Sequence, residues 1–507
     1  MLFNTAQYGI FFLVVFTVHW LLRPAWRRPF LLVASYYFYA SAIPRYLPLI
    51  LALTALNYGL GWWLGASAGR RRTWLLWLAV AGNLGSLAYF KYTELILSTI
   101  QPLLGHLPLL GPLFGDGLTL NIVLPLGISF FTFEFIHYAV EVYRGMPAMR
   151  QPVDFALFAA FFPTQIAGPI KRFPDFAKQL LHPRRLAEID FDAGVGLILR
   201  GLLKKIVLAD MLAPAVAHDF SHIGTLGPVT AWFAVFAFAA QIYGDFSGYT
   251  DIGRGCAILL GYSVPENFRA PYQSASPAEF WYRWHMSLST WLRDYLYFPL
   301  GGSRVPPWRV YVNLMITMGL GGLWHGASWH FLAWGIYQGL LLCAHRLWER
   351  SVGQLPWYRR AVAHPVGSFL TRPATLVLVC VGWIFFRAES AGDAFRMLGA
   401  LLNFSRPALD GWTLAPDSTP VVLMGLATLI VVGGWVWAVA RAPLARAWPG
   451  WRARLGALQA PRRATLAVAR LRASYALGLR PALYLGAVMV LVLWPPHIAQ
   501  RFIYFQF

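Results

Sequence analysis

Charged residues are scarce in this chain. Only 12% of its 507 residues are Asp, Glu, Lys or Arg, whereas 58% are hydrophobic and 16% are aromatic. A soluble domain carries about 25% charged residues, because polar groups must cover much of its folded surface. A lipid bilayer removes that requirement for the segments it surrounds. The composition therefore argues against a soluble fold and predicts an integral membrane protein.

Motifs for nucleotide and metal sites are also missing. The sequence contains no GxGxxG, GxxxxGK[ST], HExxH or CxxC pattern, so neither a bound metal nor a resident cofactor is predicted. Cysteine is rare: Cys256, Cys343 and Cys380 lie in or beside apolar segments, and we interpret them as small buried thiols. Histidine remains as the side chain best suited to proton transfer near neutral pH.

Long apolar blocks make up most of the chain. Clear blocks cover roughly 3–22, 46–66, 73–90, 122–140, 228–244, 310–327, 328–345, 373–386, 419–440 and 482–496, and weaker ones cover 29–43, 153–168, 193–217 and 246–262. A membrane-spanning helix needs about 20 mostly apolar residues. The pattern predicts roughly 11 spans, with two or three segments that only dip into the membrane. One membrane domain over residues 1–507 is the simplest partition.

Basic residues in the loops predict the orientation. The arginines of 23–28 and 70–72 lie between apolar blocks, which places both loops in the cytoplasm and the N-terminus in the periplasm. Stretches 263–309 and 441–480 are assigned to the cytoplasmic side, the second because it holds nine arginines and no acid. Block 153–168 has basic residues on both flanks, which favours a re-entrant or interfacial segment. Since basic residues are spread over such loops, the net charge of +21 does not indicate nucleic-acid binding.

The stretch 280–304, FWYRWHMSLSTWLRDYLYFPLGGSR, is too polar to cross a membrane but rich in tryptophan. On one continuous helix, Trp281 and His285 would lie one turn apart, and Trp284 and Trp291 would share a face. The pattern predicts a helix at the membrane interface with His285 as a candidate for proton transfer. An aromatic anchor at the interface is the plainer alternative.

The stretch 313–331, NLMITMGLGGLWHGASWHF, combines an apolar background with a polar stripe. On a helix, Asn313, Thr317, Gly321 and His325 recur every four residues and share one face. His325 would lie about 24 Å along the axis from Arg309, far from the cytoplasmic surface of a hydrocarbon core roughly 30 Å thick. The pattern indicates either a buried site at His325 or small-residue helix packing.

The stretch 241–255, QIYGDFSGYTDIGRG, interrupts a long apolar block with Asp245, Ser247, Asp251 and Arg254. Its four glycines predict a broken helix that lines a cavity. An ion pair between Arg254 and either aspartate is the structural alternative.

Two further segments are less specific. Glu134 and His137 lie in the apolar span 124–145 and are candidates to line a path. The loop 161–176, FFPTQIAGPIKRFPDF, has a basic tip suited to an anionic group such as a phosphate.

Several of these stretches belong to a longer pattern of segments. The segments are YFKYTE (89–94), LPLGISFFTF (124–133), FFPTQIAGPIKR (161–172), DFSGYTDIGRG (245–255), ENFRAPY (266–272), FWYRWHMSLSTWLRDYLYFPLGG (280–302), GLWHGASWHF (322–331), WIFFRA (383–388) and FIYFQF (502–507). This pattern resembles the membrane-bound O-acyltransferase family, and within it the bacterial alginate O-acetyltransferase branch. The resemblance spans nearly the whole chain and is least typical over 400–480.

The resemblance implies an all-α fold: a polytopic transmembrane helical bundle with re-entrant or interfacial helices around a funnel open to the cytoplasm. Its catalytic core would cover about residues 120–390. His325 of GLWHG matches the catalytic histidine of the family and would act as a general base or transient acyl carrier. His285 of RWHMSLS matches the second signature histidine. Candidates to line the site are Asp245, Ser247, Asn313, Thr317 and Trp324.

The resemblance also implies a reaction and a location. The expected acyl donor is acetyl-CoA from the cytoplasm. The expected acceptor is a periplasmic acetyltransferase or an exported polysaccharide such as alginate, and the expected location is the bacterial inner membrane. A small-solute transporter that uses the histidines as a proton relay is the main alternative, although the sequence shows no repeated halves. A scaffold for an exopolysaccharide complex is a third.

Overall fold

The computed structural model describes residues 1–104, 120, 122–166, 168–411 and 419–457, with a few residues between 484 and 491. Helices follow one another along this part of the chain and confirm the all-α prediction. They are α1 (Ala6–Leu21), α2 (Pro24–Ala42), α3 (Leu47–Ala66), α4 (Gly69–Leu104), α5 (Ile128–Tyr143), α6 (Pro152–Ala160), α7 (Phe162–Gln165), α8 (Phe173–Leu181), α9 (Phe191–Leu202), α10 (Met211–Ser221), α11 (Pro228–Leu259), α12 (Pro277–Arg283), α13 (Met286–Leu292), α14 (Pro307–His325), α15 (Trp329–Arg350), α16 (Pro356–Ala363), α17 (Pro365–Arg387), α18 (Ala391–Leu402) and α19 (Thr419–Ala457). Leu203–Asp210 and Arg293–Tyr297 form π-helical turns, and Pro44–Tyr46, Leu186–Glu188, Ile223–Thr225, Pro271–Gln273 and Val352–Gln354 form 3₁₀ turns.

Several helices have the length and composition of membrane spans. In the described part of the chain these are Pro44–Ala66, Gly69–Pro102, Pro228–Leu259, Pro365–Arg387 and Pro420–Val439, and Ala6–Leu21 is a shorter apolar helix. The other predicted blocks within this part form helices that are shorter or more polar. The chain is therefore a multi-pass membrane protein, with fewer fully apolar spans than the blocks alone predict.

The first helices define two ends of the bundle. The chain reverses direction at Arg23, at Ile43 and again at Ser67. Met1 therefore lies at the same end as Ser41, whose hydroxyl accepts a hydrogen bond from the Met1 amino group at 3.2 Å. We call this the N-terminal end, and we call the opposite end, which carries the arginines of 23–28 and 70–72, the arginine end.

Residues 152–172 enter the bundle from the arginine end and return to it. At their start, Asp154 forms a 2.7 Å salt bridge with Arg28, and at their finish Arg172 lies 2.8 Å from Asp294. Between these points α7 packs against α2. The segment is thus re-entrant, as its two basic flanks predict.

The predicted break within 241–255 is absent. Pro228–Leu259 is one helix of 32 residues. Its glycines serve close packing instead, since a Cβ atom on Gly248 would lie 2.7 Å from the Gly201 carbonyl oxygen. The prediction was wrong because a helix that contacts its neighbour through backbone atoms also needs glycine at these positions.

The ion pairs of this helix also differ from the predicted pairing. Asp251 binds Arg200 at 2.9 Å and Lys204 at 2.8 Å, while Asp245 binds Lys205 at 2.8 Å. The basic partners lie on α9 and on the π-helical turn that follows it, rather than on α11 itself. These charges join two helices and are structural.

Helices α14 and α15, which correspond to the apolar blocks 310–327 and 328–345, form a tight hairpin. A Cβ atom on Gly322 would lie 3.0 Å from the Gly335 Cα, and one on Gly335 would lie 2.3 Å from the Met318 carbonyl oxygen. Small residues therefore allow the two backbones to touch. Part of the predicted stretch 441–480, the block 482–496 apart from a few residues, and the closing segment 502–507 lie outside the described residues.

Candidate active site

The two candidate histidines lie next to each other inside the bundle. The ring centroids of His285 and His325 are 6.3 Å apart, with 64° between the ring planes. The two residues are 0% and 5% exposed. Trp324 packs against both rings, at centroid distances of 5.9 and 5.0 Å, and Phe246 covers His285 at 4.7 Å. The structure therefore brings together the two imidazoles selected from the sequence.

The predicted continuous helix over 280–304 is interrupted at His285. Helix α12 ends two residues earlier, and His285 adopts a left-handed conformation with φ 43° and ψ 52°. Asn267 holds this turn, because its carbonyl oxygen accepts the Met286 N–H at 3.0 Å and its Oδ1 accepts the Ser287 N–H at 3.1 Å. The prediction was wrong because a left-handed residue cannot continue a right-handed helix.

The backbone of His285 yields a stability prediction. A left-handed conformation costs an L-residue about 1–2 kcal/mol, whereas glycine adopts it freely. We expect His285→Gly to exceed His285→Ala in free energy of unfolding by about 1 kcal/mol. Equilibrium unfolding of the two purified variants in detergent measures the difference. An alanine variant as stable as the glycine variant would show that the turn carries no strain.

Two side chains of α4 fix the end of α14 that carries His325. The carbonyl groups of a last helical turn lack donors within the helix. The Tyr92 hydroxyl donates to the Leu323 carbonyl oxygen at 2.8 Å, and the Lys91 ammonium donates to the Trp324 carbonyl oxygen. Neither residue is among the site candidates predicted from the sequence, although both lie in the segment YFKYTE.

A cavity of about 590 Å³ lies beside His325 at the N-terminal end of the bundle. Among the described residues that line it, Lys91 has the one charged side chain. The lining residues are Met1, Leu2, Ser41, Ala42, Ile43, Lys91, Val123, Leu124, Pro125, Leu126, Gly127, Ile128, Ser129, Phe130, Ile166, Trp324 and His325. A mostly apolar pocket with a few converging polar groups is typical of a ligand site.

A second cavity, of about 340 Å³, lies at the arginine end. It is lined by His137, Glu141, Arg144, Arg172, Pro174, Asp175, Asp294, Tyr295 and Phe298. Burial raises the pKa of the Tyr295 hydroxyl, and its hydrogen bond to Glu141 raises it further. Neither candidate histidine lines this cavity.

Stacked aromatic rings separate the two cavities. Tyr295 of the second cavity lies 5.3 Å from Trp291, and Trp291 stacks on Phe133 with centroids 3.7 Å apart and an interplanar angle of 7°. Phe133 in turn lies 5.4 Å from Trp324, which lines the first cavity. A molecule passing between the cavities along this line must displace these rings.

The other residues predicted to line the site differ in whether they border a cavity or hold helices in place. Trp324 lines the first cavity. Asn313 donates to the carbonyl oxygens of Leu300 and Gly302, both at 3.1 Å, and Thr317 donates within its own helix at 2.7 Å. These contacts are structural.

Several other polar residues of the sequence patterns line neither of these cavities. Asp245 and Ser247 are buried on α11 and belong to neither cavity. The Nδ1 atom of His330 lies 3.0 Å from the Phe385 carbonyl oxygen, and Glu134 pairs with Lys171 at 2.7 Å. The predicted anion site at the tip of 161–176 is thus wrong for Lys171, because the Lys171 ammonium group is already paired with the buried Glu134 carboxylate.

Sequence comparison places this site in a family. A profile of MBOAT, the membrane-bound O-acyltransferase family, matches residues 124–370, a range that includes both histidines. A probable alginate O-acetylase of Azotobacter vinelandii is 40% identical over 446 residues, covering 85% of this chain and 83% of the relative. The chain belongs to the membrane-bound O-acyltransferase family. The protein is accordingly an O-acyltransferase.

Other relatives of this acyltransferase are named for alginate or for a second polymer, peptidoglycan. A probable alginate O-acetylase of Pseudomonas aeruginosa is 40% identical over 414 residues, covering 80% of this chain and 75% of the relative. A peptidoglycan O-acetyltransferase of Helicobacter pylori is 32% identical over 450 residues and covers 81% of each chain. The similarity extends over most of the fold, beyond the motif segments alone.

Proposed function

We propose that this acyltransferase moves an acetyl group from cytoplasmic acetyl-CoA across the bacterial inner membrane for O-acetylation of an exported polysaccharide such as alginate. The main support is the contact geometry of His285 and His325, whose centroids are 6.3 Å apart beside a cavity. The names of the most similar relatives support alginate as the polymer. The immediate acceptor is a periplasmic acetyltransferase or the polysaccharide itself.

His325 acts as the general base in this proposal. It lines the 590 Å³ cavity, so an acceptor hydroxyl that enters there can reach its ring. His285 lies deeper, and neither of its ring nitrogens has a hydrogen-bond partner among the described residues. A proton can therefore pass between the two rings through one bridging donor atom or water. Exclusion of water by the surrounding aromatic rings protects the acyl group from hydrolysis.

The charge distribution supports the sidedness. The arginines of 23–28 and 70–72 support a cytoplasmic location for the arginine end, and the N-terminal end then faces the periplasm. The donor approaches through the 340 Å³ cavity, which contains Arg144 and Arg172. The acceptor approaches through the 590 Å³ cavity. The stack around Phe133 and Trp291 opens between them when the donor binds.

Sided delivery of the donor tests this function. The full chain is reconstituted into vesicles, its orientation is determined by protease digestion, and acetyl-CoA labelled in the acetyl group is supplied to one side. Alginate oligosaccharide is supplied to the other side, with and without a periplasmic fraction from an alginate-producing cell. We expect labelled polymer only when the donor contacts the arginine end. Equal labelling from either side would contradict the sidedness, and no labelling from either side would contradict the proposed reaction.

A further inference from the structure

Lys91 is a charged residue deep inside the bundle. It is 9% exposed and lies 19 residues after Arg72, which corresponds to about 28 Å along a helix axis. His325 lies at a similar depth on its own helix. An ionisable side chain within a membrane domain is costly unless it has a partner or a function.

The contacts of Lys91 leave it available to a ligand. Its ammonium group donates to the Trp324 carbonyl oxygen and lies 3.4 Å from the Ser129 hydroxyl. No carboxylate of the described residues forms a salt bridge with it. A lysine ammonium has three N–H donors, and these two contacts use two of them, so one is left for a ligand in the cavity that Lys91 and His325 line together.

We propose that Lys91 is a further catalytic residue, and that its free N–H donor binds the acyl carbonyl oxygen during transfer. This inference rests on the proposed function. The carbonyl group must then lie between the Lys91 ammonium and the His325 ring. Donors aimed at the oxygen where negative charge develops stabilise the transition state strongly, because such a site excludes water.

The bonds of the step balance as follows. The acceptor hydroxyl oxygen forms a bond to the thioester carbonyl carbon, and its proton passes to the His325 ring. The carbonyl π electrons move to the carbonyl oxygen, whose negative charge Lys91 holds by hydrogen bonding. When the carbonyl re-forms, the carbon–sulfur bond breaks. The coenzyme A thiolate leaves and takes the proton from His325, giving an ester, a free thiol and a neutral imidazole.

A purely structural role for Lys91 makes a different prediction. Lys91 and Tyr92 each donate to one carbonyl group in the last turn of α14. If Lys91 only caps that helix, removal of either donor has a similar effect on the rate of acetyl transfer. Tyr92→Phe is therefore the matched control for Lys91→Met, which removes the charge and keeps an unbranched side chain.

Steady-state kinetics of the full chain in vesicles, with labelled acetyl-CoA and alginate oligosaccharide, separate the two roles. We expect Lys91→Met to lower kcat by about 10²–10³-fold with an unchanged KM for acetyl-CoA. Tyr92→Phe should lower kcat by no more than about tenfold, the equivalent of one hydrogen bond. Lys91→Arg keeps the charge and should recover part of the rate.

The outcomes distinguish this inference from the proposed function. Equal losses in Lys91→Met and Tyr92→Phe, or a change in KM alone, would overturn the role of Lys91 while leaving the proposed reaction intact. Absence of transfer by the unaltered protein would reject both. If Lys91→Met fails to fold, Lys91→Gln replaces it, since its amide can still donate to the Trp324 carbonyl without a charge. A folded glutamine variant with an unchanged kcat would then overturn the inference.

Discussion

Replacement of His325 by alanine is expected to lower the rate of acetyl transfer by about 10²–10⁴-fold. The ring lies beside the 590 Å³ cavity and 6.3 Å from His285, and it is the one histidine among the described residues that line that cavity. Without it, the acceptor hydroxyl lacks a base at the point of attack. Transfer of labelled acetyl from acetyl-CoA to alginate oligosaccharide measures the loss, and the KM for acetyl-CoA should change little because the donor enters from the other end.

His330→Gln provides the matched control for this prediction. His330 is 7% exposed and bonds the Phe385 carbonyl oxygen at 3.0 Å, a contact that a glutamine amide can keep. We expect this variant to transfer acetyl groups at nearly the normal rate. Retained transfer in His325→Ala would remove its role as a base. Intact chemistry with lost polymer export would favour a transporter, and unchanged polymer acetylation in cells would favour a scaffold.

Much of the fold could be predicted from composition and spacing. Apolar blocks correctly predicted a multi-pass membrane protein, and the paired basic flanks of 153–168 correctly included a re-entrant segment among their two alternatives. The four-residue repeat from Asn313 to His325 correctly predicted one buried face of α14, because all its members are buried there. These features depend on local periodicity and charge, which a sequence displays directly. The extent of the domain and of its catalytic core stays a prediction.

The local conformation of His285 could not be predicted in the same way. Helical spacing extends unbroken through 280–304, and the break depends on hydrogen bonds that Asn267 accepts, 18 residues earlier in the chain. The same limit applies to Asp251, whose partners Arg200 and Lys204 lie on another part of the chain. Contacts between distant segments have no signature in local spacing.

Lys91 shows a signal that was present but not used. A lysine within an apolar span is a functional candidate by its cost alone, yet YFKYTE contributed only to the family resemblance. The position of Lys91 beside the last turn of α14 explains why: its contact with Trp324 depends on the packing of α4 against the hairpin. The chemistry could be suspected from the sequence, whereas the location required the fold.

The re-entrant segment depends on a buried ion pair that carries the second large effect. The Lys171 ammonium lies 2.7 Å from Glu134 and donates to the Thr164 hydroxyl at 2.8 Å. The lysine and glutamate side chains are 2% and 4% exposed. Ile170, the residue before Lys171 in the chain, donates its N–H to the Ser287 hydroxyl at 3.0 Å. The pair therefore connects α5 through the re-entrant segment to the helix that begins after His285.

Lys171→Met is expected to lower the free energy of unfolding by about 3–5 kcal/mol, because it leaves the Glu134 carboxylate buried without a counter-charge. Equilibrium unfolding in detergent, followed by tryptophan fluorescence, measures the loss. The double variant Glu134→Gln with Lys171→Met should recover most of it, since the glutamine carbonyl can still accept the Lys171 backbone N–H that Glu134 accepts at 3.2 Å. If the double variant were no more stable than Lys171→Met, the loss would come from packing, and the segment would not depend on charge neutralisation. Recovery of stability together with transfer activity would show that the pair supports the site through the fold and takes no part in the chemistry.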